Sequence, residues 1–170
     1  MSSVTLTTPR LVLRTVHPDD ADDVYRQISD WDVVKNLQKP TWPYTRDHAV
    51  EFASHASSYV IEYSGQLIWI ISIEDHDNQD TFGHWIGKAF WGEGLMSETA
   101  NTLVEEHFDN PQAVPLFSGY AEDNVASWRV QEKTGFSKIG EELTYFAARG
   151  GKVKMIKTQL TREAFEKAMR

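Results

Sequence analysis

Residues Ala89–Ser97 read AFWGEGLMS, with Gly92 and Gly94 set after a strand-like run and just before a helix-like one. Glycine lets the backbone approach a ligand closely, and the first amides of a helix have no partner within it. With the positive end of the helix dipole, such amides can hold a phosphate without any basic side chain. A tight strand-to-helix turn accounts for two glycines equally well. Two nucleotide patterns are excluded: no GxxxxGK[ST] occurs, and Ser97 stands where a GxGxxG fingerprint needs its third glycine. Further along, Asn124 and Ser127 open another helix-like stretch, where capping is their simplest task. His84, with an ordinary pKa of about 6.5, suits proton transfer near neutrality, and a hydrogen-bonded structural histidine reads as well. Glu122 is a second candidate base, acting through water, or simply a carboxylate at an exposed strand end.

Other chemistries fall away. There is no cysteine, which removes disulfides, thiolate metal sites and thiol nucleophiles. His48 and His55 share one helix face but lack a third ligand, so no metal is expected. The 25 acidic against 17 basic side chains give a net charge of −8, which repels nucleic acid and favours cationic partners such as amines. The opening MSSVTLTTPR carries no secretory apolar stretch, and the longest apolar run, Leu67–Ile73, is far short of a membrane span. A cytoplasmic protein without membrane contact is the simplest expectation.

The elements that must position these residues alternate between two periods. Arg10–Arg14 alternates like a strand, and Ala21, Val24, Tyr25 and Ile28 lie on one helical face. Trp31–Tyr44 reads as an irregular loop, and Thr45 as the cap of a second helix. Ser58–Tyr63 and Gln66–Ile73 flank Ser64-Gly65 as a hairpin. Glu74–Asp80 reads as a polar connection before a strand at Thr81–Ile86. A helix through Met96–Phe108, a strand at Leu116–Ala121, a helix over Val125–Thr134, a hairpin of Glu142–Ala148 with Val153–Gln159, and a helix over Thr161–Met169 complete the chain. Nothing divides it, so 1–170 reads as one α/β domain.

The order of these segments resembles the GNAT superfamily of N-acetyltransferases, in particular its RimJ/RimL-like branch. FWGEGLMSETA is similar to that branch's YWGKGYATEA, TFGHWI to its E-I-G-Y-W-I strand, and NVASWRVQEKTGF to its N-x-A-S-x-R-V-x-E-K-x-G-F. Thr8–Arg14 resembles its T-x-R-L-x-L-R opening, and PTWPYTRDHA the segment before its second helix. The resemblance implies a mixed, mostly antiparallel twisted sheet flanked by helices (α+β), with two central parallel strands splayed apart. It implies acetyl-CoA as co-substrate, with Trp85, Ile86, Gly87 and Lys88 along the pantetheine arm. Trp91, Gly92, Glu93, Gly94, Leu95, Met96 and Ser97 would surround the pyrophosphate. Asn124 and Ser127 would lie near the pantetheine and sulfur, with Ser127 donating to the departing thiolate. Trp31, Trp42 and Tyr44 fall in the loop bordering the family's acceptor groove, and Tyr145 in a late strand that could face it. Departures accompany the match. Thr81 replaces a common Glu, His84 a common Tyr, and Gln131 the Tyr that often protonates the thiolate; Trp91 and Met96 replace Q/R and G/A of the phosphate loop.

The expectation is therefore acetyl transfer to a primary amine, either a protein N-terminus or a small molecule. A CoA-binding module with little turnover is the alternative. A homodimer, common among relatives, stays open.

Overall fold

The computed structural model describes residues 5–170, so the first four residues of the MSSV opening lie outside it. Its strands are β1 (Thr5–Thr7), β2 (Leu11–Thr15), β3 (Tyr59–Tyr63), β4 (Gln66–His76), β5 (Gln79–Ile86), β6 (Leu116–Ala121), β7 (Ser137–Phe146) and β8 (Gly151–Leu160). The helices are α1 (Ala21–Ile28), α2 (Trp31–Val34), α3 (Arg46–His55), α4 (Leu95–Asp109), α5 (Val125–Thr134) and α6 (Arg162–Ala168). All strands join one eight-stranded sheet, ordered β1-β2-β3-β4-β5-β6-β8-β7. Among the described residues only β5 and β6 run parallel; the other neighbours are antiparallel. The expected mixed, mostly antiparallel sheet between helices is what forms.

Successive side chains on a strand point to opposite faces, and the two faces carry different helices. Ile71, Phe82, Leu116 and Leu160 meet Leu103 and Phe108 of α4 and Phe165 of α6 in the larger core. On the other face Val60, Ile70 and Trp85 meet Val24 and Ile28 of α1, Val33 of α2 and Ala49 of α3. β4 is buried on both sides from Leu67 to Ile71, which explains its unbroken apolar run. Each such side chain taken from water contributes roughly 1.5–3 kcal/mol. α5 lies on the larger-core face, where Trp128 stacks on Tyr120 with ring centroids 5.7 Å apart.

Three segments differ from expectation. Glu74–Asp80 is not a loop: β4 and β5 stay paired through His76↔Gln79, and Asp77 and Asn78 turn the chain at φ 54° and 63°. Asp and Asn tolerate that left-handed geometry, so a polar run makes a hairpin tip with both faces wet. Trp31–Tyr44 begins with the short α2, capped by Asp30 through the Asp32 amide at 2.8 Å. β7 starts at Ser137 rather than Glu142; its exposed face hides the alternation that marks a strand. Among the described residues no helix is long and apolar enough to cross a membrane, and no side-chain cluster could hold a metal ion.

Candidate active site

The parallel pair is barely a pair. β5 and β6 share a single register match, Thr81↔Phe117, and separate beyond it. The Gly87 amide donates to the Ile68 carbonyl on β4. By antiparallel alternation, Trp85 and Gly83 then also turn their backbone groups toward β4, whereas Ile86, His84 and Phe82 turn theirs toward the gap. Two side-chain bonds agree with this assignment. The Ser118 hydroxyl donates to the Phe82 carbonyl at 2.9 Å, and the Trp91 indole donates to the Ile86 carbonyl at 3.0 Å. Between them the His84 backbone presents an edge to which no side chain among the described residues is bonded, and an extended amide-bearing arm can join it as a strand would. Gly87 is constrained from the other side. A Cβ there would meet Gln27 Oε1 at 2.2 Å and the Ile68 carbonyl at 3.2 Å.

The gap opens onto the start of α4. Gly92 and Gly94 take φ 82° and 71°, a left-handed geometry that favours glycine, and nothing lies within 4 Å of where their Cβ atoms would be. Gly94 caps α4 without a side-chain bond, so the helix's leading amides keep their dipole for a ligand. Leu95 and Met96 are buried and lock this turn into the larger core, whereas Trp91, Gly92, Glu93 and Gly94 are exposed and Ser97 is half-buried. The helix start is tied down from behind: Glu98 accepts from Arg10 Nε at 2.7 Å and from the Thr8 hydroxyl. The Lys88 ammonium reaches Asp32 Oδ2 at 2.6 Å. Its backbone still belongs to the loop, but its charge is spent on α2.

α5 starts on the far side of the gap. Asn124 accepts from the Ser127 amide at 3.3 Å, the expected cap. Ser127 is half-buried, and its hydroxyl receives Gln131 Nε2 at 3.4 Å. Gln131 is only 1% exposed and accepts from the Thr158 hydroxyl on β8 at 2.6 Å. The residue at the family's Tyr position thus carries no acid of its own.

Both candidate bases look different in three dimensions. His84 lies on the larger-core face beside Phe82, ring centroids 5.4 Å apart. A rim of the ring stays accessible, yet the surrounding protein pushes its pKa down to about 4 through loss of hydration. It is therefore neutral at pH 7, and a weaker base than its type suggests. Glu122 is paired with Lys154 at 3.0 Å, which also reaches Glu141 at 3.1 Å.

On the other face, the loop after α1 presents Trp31 and Trp42 edge-to-face, centroids 5.5 Å apart and both at least 40% exposed. Tyr44 is a correction: it is 7% exposed within the α1–α3 core, where burial raises its hydroxyl to about 12, so its ring supports the loop from inside. Tyr145 is exposed, and its register opposite Lys152 places it on the α5 face, away from that loop. The acidic residues of the loop are no free cation trap either. Lys35 and Lys88 bond the Asp32 carboxylate and hold its pKa near about 2. A residue that sequence reasoning missed joins the pieces. Arg149 donates to the Lys35 carbonyl at 2.7 Å and grips Asp123 with bonds of 2.8 and 2.9 Å. It stands in an RGG turn that reads only as a hairpin tip, and no local pattern links it to partners far off in sequence.

An open hollow of ≈ 400 Å³ is lined by Tyr120, Glu122, Lys138, Gly140, Glu141 and Ile156. It lies between β6 and β7, on the side of β6 away from the gap, and includes none of the expected site residues but Glu122.

Residues 10–137 match the family model described as "Acetyltransferase (GNAT) domain". The chain is 24% identical to an uncharacterized N-acetyltransferase p20 of Bacillus licheniformis, with 86% of this chain and 89% of that one covered. It superposes on a GNAT-family acetyltransferase from Bacillus anthracis with a TM-score of 0.84 at 18% identity, covering 94% and 99% of the two chains. Mycobacterium smegmatis RimJ, solved with a CoA-disulfide, gives a TM-score of 0.74 at 20% identity, covering 95% and 87%. With that match spanning the splayed strands, the glycine turn and α5, the chain belongs to the GNAT acetyltransferase family, and its fold is shared with the RimJ type.

Proposed function

We propose that this acetyl-CoA-dependent acyltransferase acetylates a primary amine that is substantially unprotonated near neutral pH, a protein N-terminal α-amine ahead of a small-molecule amine. The observation that carries the reading is the run of unpaired β5 backbone leading to the uncapped start of α4 at Gly94. An extended pantetheine arm fits the first and a pyrophosphate the second. The His84 backbone amide is then the group placed to polarise the thioester oxygen. As the C–N bond forms and the C–S bond breaks, the nitrogen loses one proton to water, and the departing thiolate is stabilised by a hydrogen bond from the Ser127 hydroxyl until it takes a proton, through that hydroxyl, from solvent.

The acceptor preference follows from charge. Asp32, Glu122 and Asp123 are all ion-paired, and His84 is held neutral by burial. A site without a strong free base favours an amine with pKa of about 7.7–8.0 over one near about 10.4. Positioning alone then supplies much of the rate. The exposed Trp31–Trp42 pair offers the incoming chain an apolar ledge. The second reading, a CoA-binding module with little turnover, draws support from that same weak base and from Gln131 where a phenol is usual.

The test is acetyl-CoA binding by calorimetry, followed by thiol release with a panel of free N-terminal peptides and of small alkylamines. Turnover with peptides and little with alkylamines is expected. Rapid alkylamine turnover would reverse the acceptor order. Tight binding without turnover on any amine would favour the second reading.

A further inference from the structure

Gln131 is hard to account for as packing. It is a fully buried polar side chain, 1% exposed, with Thr158 beside it at 0%. Burying an amide costs free energy unless its polar atoms are bonded, and an apolar residue there would avoid the cost. Its bonds have a direction. The Thr158–Gln131 separation of 2.6 Å suits an O–H···O bond, which is short, and is too close for an ordinary N–H···O bond. Thr158 is therefore the donor and the Gln131 carbonyl the acceptor. The amide NH2 must then face the other way, toward Ser127 Oγ at 3.4 Å. A serine oxygen that receives a hydrogen bond on its lone pair keeps its own hydrogen for another acceptor. Asn124 takes up the Ser127 backbone amide, not its hydroxyl. The free end of the chain is thus the Ser127 O–H at the half-buried start of α5, beside the strand gap.

We infer that Thr158 and Gln131 are positioning residues that orient the Ser127 hydroxyl as a donor toward the leaving sulfur. The inference rests on the reading of Ser127 given above. Thr158 is fully buried and acts by forbidding the flipped Gln131 amide. In that flipped state the Gln131 carbonyl would accept the Ser127 hydrogen and withdraw it from the sulfur. The arrangement replaces a single phenol with three residues on α5 and β8 whose hydrogen bonds all run one way.

The titration of CoA's own thiol, bound to the whole protein, tests this without any acceptor. Thiolate absorbance is followed against pH for the wild type and for Ser127→Ala, Gln131→Met, Thr158→Val and Thr158→Ser. His84 on β5, Tyr120 on β6, Lys138, Glu141 and Tyr145 on β7, Lys152 and Lys154 on β8, and Glu122 just after β6 are titratable groups of this sheet face, with Arg129, Glu132 and Lys133 on α5, and all the variants keep them. A hydroxyl donating to the thiolate lowers the bound thiol's pKa, so Ser127→Ala is expected to raise it by about one pH unit. Thr158→Val, nearly isosteric, should reproduce at least half of that rise while CoA affinity stays unchanged. Thr158→Ser, which keeps the hydroxyl, should restore the wild-type value. The Ser127→Ala/Thr158→Val double variant should match Ser127→Ala alone, because the two act through one bond. If Ser127→Ala shifts the thiol but both Thr158→Val and Gln131→Met leave it in place, the orienting pair is wrong and Ser127 stands. If Ser127→Ala itself has no effect, or CoA does not bind, the reading of the serine falls and the inference with it. Gln131→Met carries the risk of misfolding; Thr158→Val keeps the proposal falsifiable.

Discussion

The two sides of the strand gap are built from different materials. On the proposed cofactor side the available groups are backbone: the β5 edge around His84, the turn at Gly92 and Gly94, and the first amides of α4. On the proposed acceptor side they are side chains tied across long sequence distances. Arg149 joins the β7–β8 hairpin to Lys35 and Asp123, and Lys88 joins the end of β5 to Asp32. Backbone groups are placed by the fold itself and stay put when surface residues change. Ion-paired side chains can be exchanged without disturbing the sheet.

The largest effect expected is on the cofactor side. Gly94→Trp should weaken acetyl-CoA binding by about 1,000-fold, equivalent to about 4 kcal/mol, with folding largely retained. Open space surrounds that position, so the indole blocks the amides rather than the core, and the backbone strain is only about 1–2 kcal/mol. Calorimetry beside a thermal melt checks it; unaltered binding would mean that the phosphates lie elsewhere.

His84 sets the next. Its pKa is lowered by burial to about 4, against about 6.5 when unfolded. Between those values the unfolded chain binds more protons, so stability is complete above about pH 6.5 and is lost as pH falls toward 4. The loss approaches at most about 3 kcal/mol, at about 1.4 kcal/mol per unit. His84→Gln should flatten that slope in urea unfolding at pH 7 and 4.5. An unchanged slope would show that the imidazole is better hydrated than its surroundings imply.

The smallest effect tests the acceptor side by itself. Arg149→Met removes the bidentate bond to Asp123 but keeps apolar contact with Phe146. It should raise the acceptor KM by about tenfold and leave acetyl-CoA affinity within about twofold, as expected for loss of a charge-assisted bond worth about 1.5–3 kcal/mol partly offset by relaxation. If both affinities fall together, the two sides are one mechanical unit and the contrast between them fails.

Legibility followed the same division. Gly92 and Gly94 were readable because a left-handed turn before a helix restricts residue type at the position itself. Asn124 was readable because a cap serves amides only a few residues away. Glu74–Asp80 misled because polar residues at a wet hairpin tip look like a loop. Tyr44 misled because an aromatic in a loop gives no sign of which side it faces. Arg149, Gln131 and Thr158 carried no local sign, since each is defined by partners 26 or more positions away, Ser127 excepted.

The sequence by itself determined the order of the strands and helices other than β1 and α2, the glycine turn, the capped start of α5 and, through their ordered resemblance, the GNAT family. Those features depend on short-range periods and on backbone geometry that few residue types satisfy. Only the tertiary structure decided that His84 is neutral, that the carboxylates near the gap are already paired, that Tyr44 faces inward, and that Gln131 turns its amide toward Ser127. Each of these depends on solvent exclusion or on which distant groups meet, and the fold alone brings those groups together.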